Sequence, residues 1–282
     1  MTSTSDTPSS NQQLPPNSPA ANAGWRDTLL AAYPWLGFVL PLVVFLAMTS
    51  FEPTPPPAPA EAGSVEQTAE PSGWFGLNVP YSAYPYVYTL KVALSIAAIA
   101  FVWPTYRQFP FKLSPLAFVV GAVGVVIWVG ICHLQLEQRI LPAIRLGSLL
   151  GSGQRSAFNP LVELAAQPAW AWGFLTIRFI GLALVVPVIE EFFLRGFLMR
   201  ACVSENWPAV PFGTVNLLAV AAGTVVPMAM HPGELFAALI WFSMVTGLMV
   251  LTRNIWDCVA AHATTNLLLG IYVVVWNQWH LM

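Results

Sequence analysis

The sequence predicts an all-α fold, a polytopic membrane bundle of about seven transmembrane helices. Of its 282 residues, 56% are hydrophobic and 9% are charged, whereas a typical soluble domain is about 25% charged. Several apolar stretches reach the roughly 20 residues that a helix needs to cross a bilayer. Pro, Gly and charged residues separate these stretches, and the period-two alternation typical of strands is missing. We therefore expect an integral membrane protein built from helices.

The charge and cysteine content exclude some classes of partner and site. The net charge is -2 and the eleven Lys and Arg residues are scattered, so the clustered basic surface that binds nucleic acid is not expected. Cys132, Cys202 and Cys258 are odd in number and lie in apolar surroundings, which argues against a disulfide framework or a CxxC metal site. We expect them to be small buried hydrophobic residues.

The N-terminal half begins with polar sequence. Residues 1–32 are predicted to be a disordered tail, because the segment is rich in Ser, Thr, Asn and Pro and has little to bury. Residues 33–164 are predicted to hold the N-terminal transmembrane helices. Within them, residues 51–75 form a Pro-rich acidic loop without Lys or Arg. The positive-inside bias predicts that this loop is extracytoplasmic.

Seven apolar segments are predicted to span the membrane. Their approximate ranges are 33–50, 84–104, 114–134, 168–201, 209–230, 234–252 and 255–276. Residues 135–167 mix charged and apolar residues, which is typical of an amphipathic or partly re-entrant segment. Residues 165–282 are predicted to form a separate C-terminal helix bundle, and that bundle contains most of the intramembrane polar residues.

A charged side chain at bilayer depth costs about 2.5 to 3.5 kcal/mol on insertion scales, so such residues usually face a protein interior or a cavity. The C-terminal half contains nine ionisable or amide side chains in or beside apolar runs. They are Arg178, Glu190, Glu191, Arg195, His231, Glu234, Asp257, His262 and Asn266.

The segment VIEEFFLR contains three of these charges. Glu191 and Arg195 are four residues apart, in the favourable acid-then-base order, and are predicted to pair on one face of a helix. Glu190 is rotated by about 100° from Glu191 and is left without that partner. Glu190 is therefore a candidate general acid or base. The alternative is that all three residues form a buried ion network that holds helices together.

Two further segments carry polar side chains with catalytic potential. His262 and Asn266 are four residues apart and share one helix face, where each needs a hydrogen-bond partner in hydrocarbon. Hydrogen bonding between helices is the alternative interpretation of this pair. His231 precedes Pro232 and Gly233, which predicts a position at a helix C-terminus.

A carboxylate, two histidines and an amide on apolar helices can activate a water molecule and stabilise an oxyanion, as hydrolysis of a peptide bond requires. The same groups can hold zinc, but the HExxH spacing is missing. Ser243 lacks the glycines of a nucleophile elbow. Cys258 beside His262 is interpreted as a buried residue rather than a nucleophile.

These motifs resemble the CAAX prenyl protease and bacteriocin-processing family of intramembrane endopeptidases, also called the Rce1-like, Abi or CPBP group. The resemblance rests on EExxxR (Glu190 to Arg195), an isolated His231, and HxxxN (His262 to Asn266) after Trp256. The family's middle motif reads FxxxH, and this chain has Pro227 in place of the Phe. The tail HATTNLLLGIYVV further resembles the bacterial branch found beside exosortase sorting systems.

The resemblance implies a role for each motif residue. Glu190 and His231 would activate the attacking water, His262 and Asn266 would stabilise the oxyanion, and Glu191 with Arg195 would hold the motif helix. It also implies a protein or peptide substrate that is membrane-associated and sometimes lipidated, contact with membrane lipid, and a bacterial inner-membrane location. No cofactor is expected, with zinc as the alternative from a metalloprotease interpretation. Two non-protease hypotheses stay open: a transporter, although paired inverted repeats were not found, and a catalytically silent scaffold.

Overall fold

The computed structural model describes residues 24–53, 79–146 and 157–282. These ranges contain helices and no β-strand, which confirms the predicted all-α class. Most of the predicted tail 1–32 and of the Pro-rich loop 51–75 lies outside the described residues. The part of the tail that is described is helical from Trp25 to Ala32, so the predicted tail extended too far.

The described ranges contain ten main helices, numbered in chain order. They are α1 Trp25–Ala32, α2 Leu36–Thr49, α3 Tyr84–Tyr106, α4 Pro115–Leu134, α5 Leu136–Ala143, α6 Pro160–Glu163, α7 Pro168–Val203, α8 Leu217–Met230, α9 Leu235–Thr252 and α10 Ile255–Trp276. Helix α7 is one continuous element of 36 residues.

The described residues contain fewer candidate spans, by length and composition, than the predicted number of about seven. Five described helices, α3, α4, α7, α9 and α10, are long and apolar enough to cross a bilayer. Helices α1 and α2 are bent by 98° at a short break and make a sixth candidate if they count as one span. Helix α8 has 14 residues, fewer than the roughly 20 that a span needs. The polytopic helical bundle itself is confirmed.

Helix α8 is shorter than the predicted segment 209–230 because the first residues of that segment are not helical. The segment 209–216 includes Pro211, which fixes its own backbone angle, and Gly213, whose φ of +87° lies in the left-handed region. The helix begins only after Asn216, whose side chain accepts a hydrogen bond from the Ala219 N–H at 2.7 Å. An asparagine at this position satisfies one of the unpaired N–H groups of a helix start.

The mixed segment 135–167 forms two short helices, α5 and α6, and residues 147–156 of it lie outside the described ranges. Gln135 adopts a left-handed φ of 50°, which ends α4 and begins α5 in a new direction. The buried Glu137 of α5 accepts a hydrogen bond from Phe236 N–H at 3.1 Å. Helix α5 therefore fixes the start of α9.

Helices α4 and α10 pack closely because α4 presents glycines to α10 and α9. A Cβ atom on Gly121 would lie 2.6 Å from the Ala261 carbonyl oxygen, and one on Gly124 would lie 2.6 Å from the Trp241 indole nitrogen. Small residues allow this approach between membrane helices. The Thr265 hydroxyl lies 2.9 Å from the Gly121 carbonyl oxygen and accepts from the Trp241 indole N–H at 3.0 Å. One threonine thus joins α4, α9 and α10.

We expect Gly121→Ala to destabilise the bundle by about 1 to 3 kcal/mol, because the added methyl group collides with backbone that cannot move freely. Gly130→Ala on the same helix is the matched control, since a Cβ there meets nothing within 4 Å. Thermal unfolding of both variants in detergent micelles measures the difference. Equal midpoints for the two variants would contradict the close α4–α10 packing.

Candidate active site

Helix α7 contains two π-helical turns, and the EExxxR motif begins just before the second turn and ends within it. The turns are Gly181–Val185 and Phe192–Leu198, and the α-helical segment Val186–Glu191 lies between them. Each π-turn accommodates extra residues relative to an α-turn and changes which side chains share a face. The Asn266 side-chain N–H donates to the Leu182 carbonyl oxygen at 2.9 Å, inside the first π-turn.

Glu191 is completely buried and holds two partners. Its carboxylate accepts a hydrogen bond from an Arg195 Nη1–H, as the four-residue spacing predicts. It also lies 3.0 Å from Nδ1 of His262, a contact that the sequence did not reveal. Arg195 in turn donates to the Phe242 carbonyl oxygen at 3.2 Å. Glu191 and Arg195 therefore link α7 to α10 and α9.

Glu190 points away from this pair. Its carboxyl oxygen Oε2 is buried and has no hydrogen-bond partner among the described residues. The side chain lines a cavity of about 630 Å³ inside the bundle. Glu190 and Glu191 are neighbours on the helix and therefore point in different directions, as the helical geometry predicted. Glu191 faces its two partners, and Glu190 faces the cavity.

The four residues predicted to be catalytic converge on this cavity. Glu190 comes from α7, His231 from the turn after α8, and His262 and Asn266 from α10. Among the described residues, neither Glu191 nor Arg195 lines the cavity. The surrounding walls near these groups are mostly apolar and include Trp128, Leu182, Trp241, Phe242 and Leu269. A cavity with apolar walls and a few convergent polar groups is the usual form of a substrate site.

His231 has its tautomer set by the backbone. Nδ1 lies 2.8 Å from the Pro227 carbonyl oxygen, and a carbonyl oxygen only accepts, so Nδ1 carries the proton. In the neutral imidazole the lone pair is then on Nε2. The rings of Trp128 and Phe242 pack at 5.6 and 5.5 Å and fix the ring position. Position 227 thus supplies a main-chain oxygen to His231, and this contact does not require the family's Phe side chain.

His262 is oriented in the same way by a carboxylate. Nδ1 donates to Glu191 when that acid is ionised, so Nε2 is the nitrogen left for a substrate. The ring of Trp241 packs against the imidazole at 4.6 Å. Neutral His262 offers a lone pair at Nε2, whereas donation to an oxyanion requires the doubly protonated ring.

The other candidate groups have structural partners. Cys258 is buried, with its thiol 3.7 Å from the Asn254 carbonyl oxygen, and is not part of the cavity wall that the structure describes. Ser243 is exposed and donates to Leu239. Asp257 accepts from the Ser114 N–H and hydroxyl at 2.7 and 3.0 Å and fixes the start of α4. In the described ranges, no group of three or more His, Cys, Asp or Glu side chains is arranged to hold a metal ion.

Two cationic residues also line the cavity. Arg178 was noted as an intramembrane charge, but its place in the cavity was not predicted. Lys91 of α3 was missed altogether, although a single lysine in an apolar run is itself a signal of a functional or paired position.

The comparison with protein families agrees with this geometry. Residues 171–268 match the family model of the Type II CAAX prenyl endopeptidase Rce1-like group. The matched Rce1-like region covers about a third of the chain and contains the Glu191–Arg195 pair and the four predicted catalytic residues. Comparisons with curated proteins and with solved structures gave no match. The narrower resemblance to the exosortase-associated branch stays a prediction.

We expect Glu191→Gln to destabilise the Rce1-like region by about 3 to 5 kcal/mol, because it leaves the buried Arg195 without a counter-charge. Glu190→Gln is the matched control, since Oε2 of Glu190 has no partner to lose, and it should change stability much less. Thermal unfolding of the purified proteins compares the two. The interpretation of Glu191 as the structural carboxylate would be wrong if Glu190→Gln were the less stable variant.

Proposed function

We propose that this protein is a membrane-embedded endopeptidase that hydrolyses a peptide bond of a membrane-associated protein or peptide. The observation that carries the proposal is the convergence of Glu190, His231, His262 and Asn266 on one cavity. All four lie in the region that matches an endopeptidase family. The apolar helices support integration in a membrane, and we propose the bacterial inner membrane.

In the proposed reaction, Glu190 and His231 activate a water molecule in the cavity. The Glu190 carboxylate or the Nε2 lone pair of His231 accepts a proton from the water as its oxygen attacks the carbonyl carbon of the scissile peptide bond. The resulting tetrahedral intermediate collapses as the C–N bond breaks. The accepted proton passes to the departing amine, so the products are a carboxylic acid and an amine.

The negative oxygen of the intermediate would lie near His262 and Asn266. One N–H of the Asn266 amide is held by the Leu182 carbonyl oxygen, which orients the amide so that its second N–H can face the oxyanion. His262 would donate from Nε2 when both ring nitrogens carry protons, while Nδ1 stays bonded to Glu191. Hydrogen-bond donors that are held in place in an apolar cavity stabilise an oxyanion more strongly than donors in water do.

A substrate that is itself anchored in the membrane suits a cavity lined by membrane helices, because such a substrate is already concentrated there. A lipid-modified peptide is one substrate of this kind. We propose glutamate-based chemistry without a metal, since the described residues do not form a three-ligand group. If the experiments below detect no cleavage, the transporter and silent-scaffold hypotheses remain.

We expect Glu190→Gln to lower the rate of peptide cleavage by at least about 100-fold, the usual contribution of a general base. The substitution keeps the size of the side chain and removes only its ability to accept a proton. Cleavage of a quenched-fluorescence peptide library by protein in nanodiscs provides the measurement. Glu205→Gln is the control, because Glu205 is exposed and outside the cavity wall. Full activity of a folded Glu190→Gln variant would refute the assignment.

Chelation tests the metal alternative separately. We expect 1,10-phenanthroline or EDTA to leave the cleavage rate unchanged within about twofold, because no step of the proposed reaction uses a metal. The control is the same treatment followed by dialysis and addition of zinc. Loss of activity on chelation, with recovery on adding zinc, would favour the metalloprotease interpretation.

A further inference from the structure

The connections between the long helices lie at two opposite ends of the bundle. One end holds the loops 107–114, 204–216 and 253–254. Contacts join these loops: the Asn254 side chain donates to the Lys112 carbonyl oxygen at 2.8 Å, and the rings of Phe109 and Phe212 are 5.9 Å apart. The other end holds the last residues of α2 and the turn between α8 and α9.

Packed aromatic rings close the bundle at the end that holds these three loops. Tyr106 and Phe192 stack with ring centres 3.8 Å apart, and neither residue is exposed. Phe38 of α2 and Trp256 of α10 pack on Phe192 with ring centres at 6.4 and 5.3 Å. Phe192 follows the pair 190–191 in the direction of this end, so the rings lie between the candidate catalytic groups and the loops. We call this the closed end.

The cavity opens at the opposite end of the bundle. Its wall includes Glu52 and Pro53, which follow α2, and Pro232 and Glu234 in the turn between α8 and α9. Gly233 in the same turn is exposed. Among the described residues, none from the three loops of the closed end lines the cavity. The end with the α8–α9 turn is therefore the open end.

The basic residues outside the long apolar runs are more numerous at the closed end. That end carries Arg26, Arg107, Lys112, Arg200 and Arg253. At the open end, the connection 135–167 contains Arg139, Arg145 and Arg155, and the connection 54–78 contains three Glu but neither Lys nor Arg. Lys91 and Arg178 lie within α3 and α7 and belong to neither set of connections. Because Lys and Arg are in excess on the cytoplasmic side of membrane proteins, this distribution favours a cytoplasmic closed end.

We infer that the cavity opens on the extracytoplasmic side of the membrane and receives its substrate from that side. The inference rests on the proposed endopeptidase function and adds the substrate class, which is a membrane-anchored protein whose cleaved bond lies outside the cytoplasm. A peptide that enters from the open end passes Glu52 and Glu234 on its way to Glu190. A peptide in the cytoplasm instead meets the packed rings of the closed end, which separate it from Glu190.

Cysteine accessibility tests the orientation without any need for activity. Gly233→Cys puts a thiol in the exposed turn at the open end, and Lys112→Cys is the matched variant in an exposed loop of the closed end. We expect a membrane-impermeant maleimide to label Gly233→Cys on intact spheroplasts, and to label Lys112→Cys only after the membrane is made permeable. The parent protein measures the background from its native thiols, Cys132, Cys202 and Cys258. The reverse pattern would overturn the inference.

Sealed vesicles of opposite orientation test the substrate side. The probe is a soluble quenched-fluorescence peptide that the detergent-solubilised protein cleaves. We expect cleavage to be at least about tenfold faster with right-side-out vesicles than with inside-out vesicles, because a peptide backbone crosses the apolar core of a bilayer only at a high cost in free energy. Detergent should make the two rates equal, and Glu190→Gln in right-side-out vesicles measures cleavage by other proteases.

The outcomes distinguish this inference from the proposed function. If Lys112→Cys is the variant labelled from outside, or if inside-out vesicles cleave faster, the orientation is wrong and the endopeptidase proposal stands. Labelling of both variants from the same side would contradict their placement at opposite ends. If Gly233→Cys is labelled from outside but solubilised protein cleaves no peptide, the substrate class fails with the endopeptidase proposal, whereas the orientation of the cavity stands.

Discussion

The buried carboxylate of Glu191 is the interaction on which the rest of the site depends. It has no exposed surface and binds Arg195 on its own helix and His262 on α10, while Arg195 reaches α9 through the Phe242 carbonyl oxygen. Such partners offset the cost of burying the Glu191 carboxylate inside a membrane bundle. Because Glu191 is held in this direction, the adjacent Glu190 must face the cavity. Its bond to His262 also leaves the Nε2 nitrogen of that ring available to a substrate. One carboxylate thus orients both a candidate base and a candidate oxyanion donor.

The packing around this interaction is tight where the site needs rigid walls. Helix α4 has glycine where it meets α10, and Thr265 joins α4, α9 and α10 beside His262. On the other side of the motif, Phe192 stacks on Tyr106 with ring centres 3.8 Å apart and fixes the residue after Glu191. Side chains that are held by packing and hydrogen bonds keep the geometry that catalysis requires. The turn that carries His231 is instead held by a main-chain bond to Pro227 and, further along, by Glu137 at the start of α9.

Sequence periodicity was sufficient for the local geometry and insufficient for the contacts between helices. The four-residue spacing predicted the Glu191–Arg195 pair and the separate direction of Glu190, because both follow from one helix. Hydropathy predicted the helices, but it placed the start of the 209–230 segment too early, because Gly213 and the residues around it interrupt the helix. The contact of His262 with Glu191 joins residues 71 positions apart, so no local pattern contains it. The π-turn Gly181–Val185 was also hidden, since a period of 3.6 residues assumes a regular helix.

The two buried cations of the cavity wall have partners that connect distant parts of the chain. Lys91 of α3 forms an ion pair with Glu52, just after α2. Arg178 of α7 donates to the Phe158 oxygen at 2.5 Å and to an oxygen of Met282, the last residue of the chain given, at 2.9 Å. Buried charges in a membrane bundle are usually held by such partners. Glu190 differs, because its Oε2 has no hydrogen-bond partner among the described residues. The cations of the wall therefore hold the bundle together, whereas the Glu190 carboxyl is the group left for chemistry.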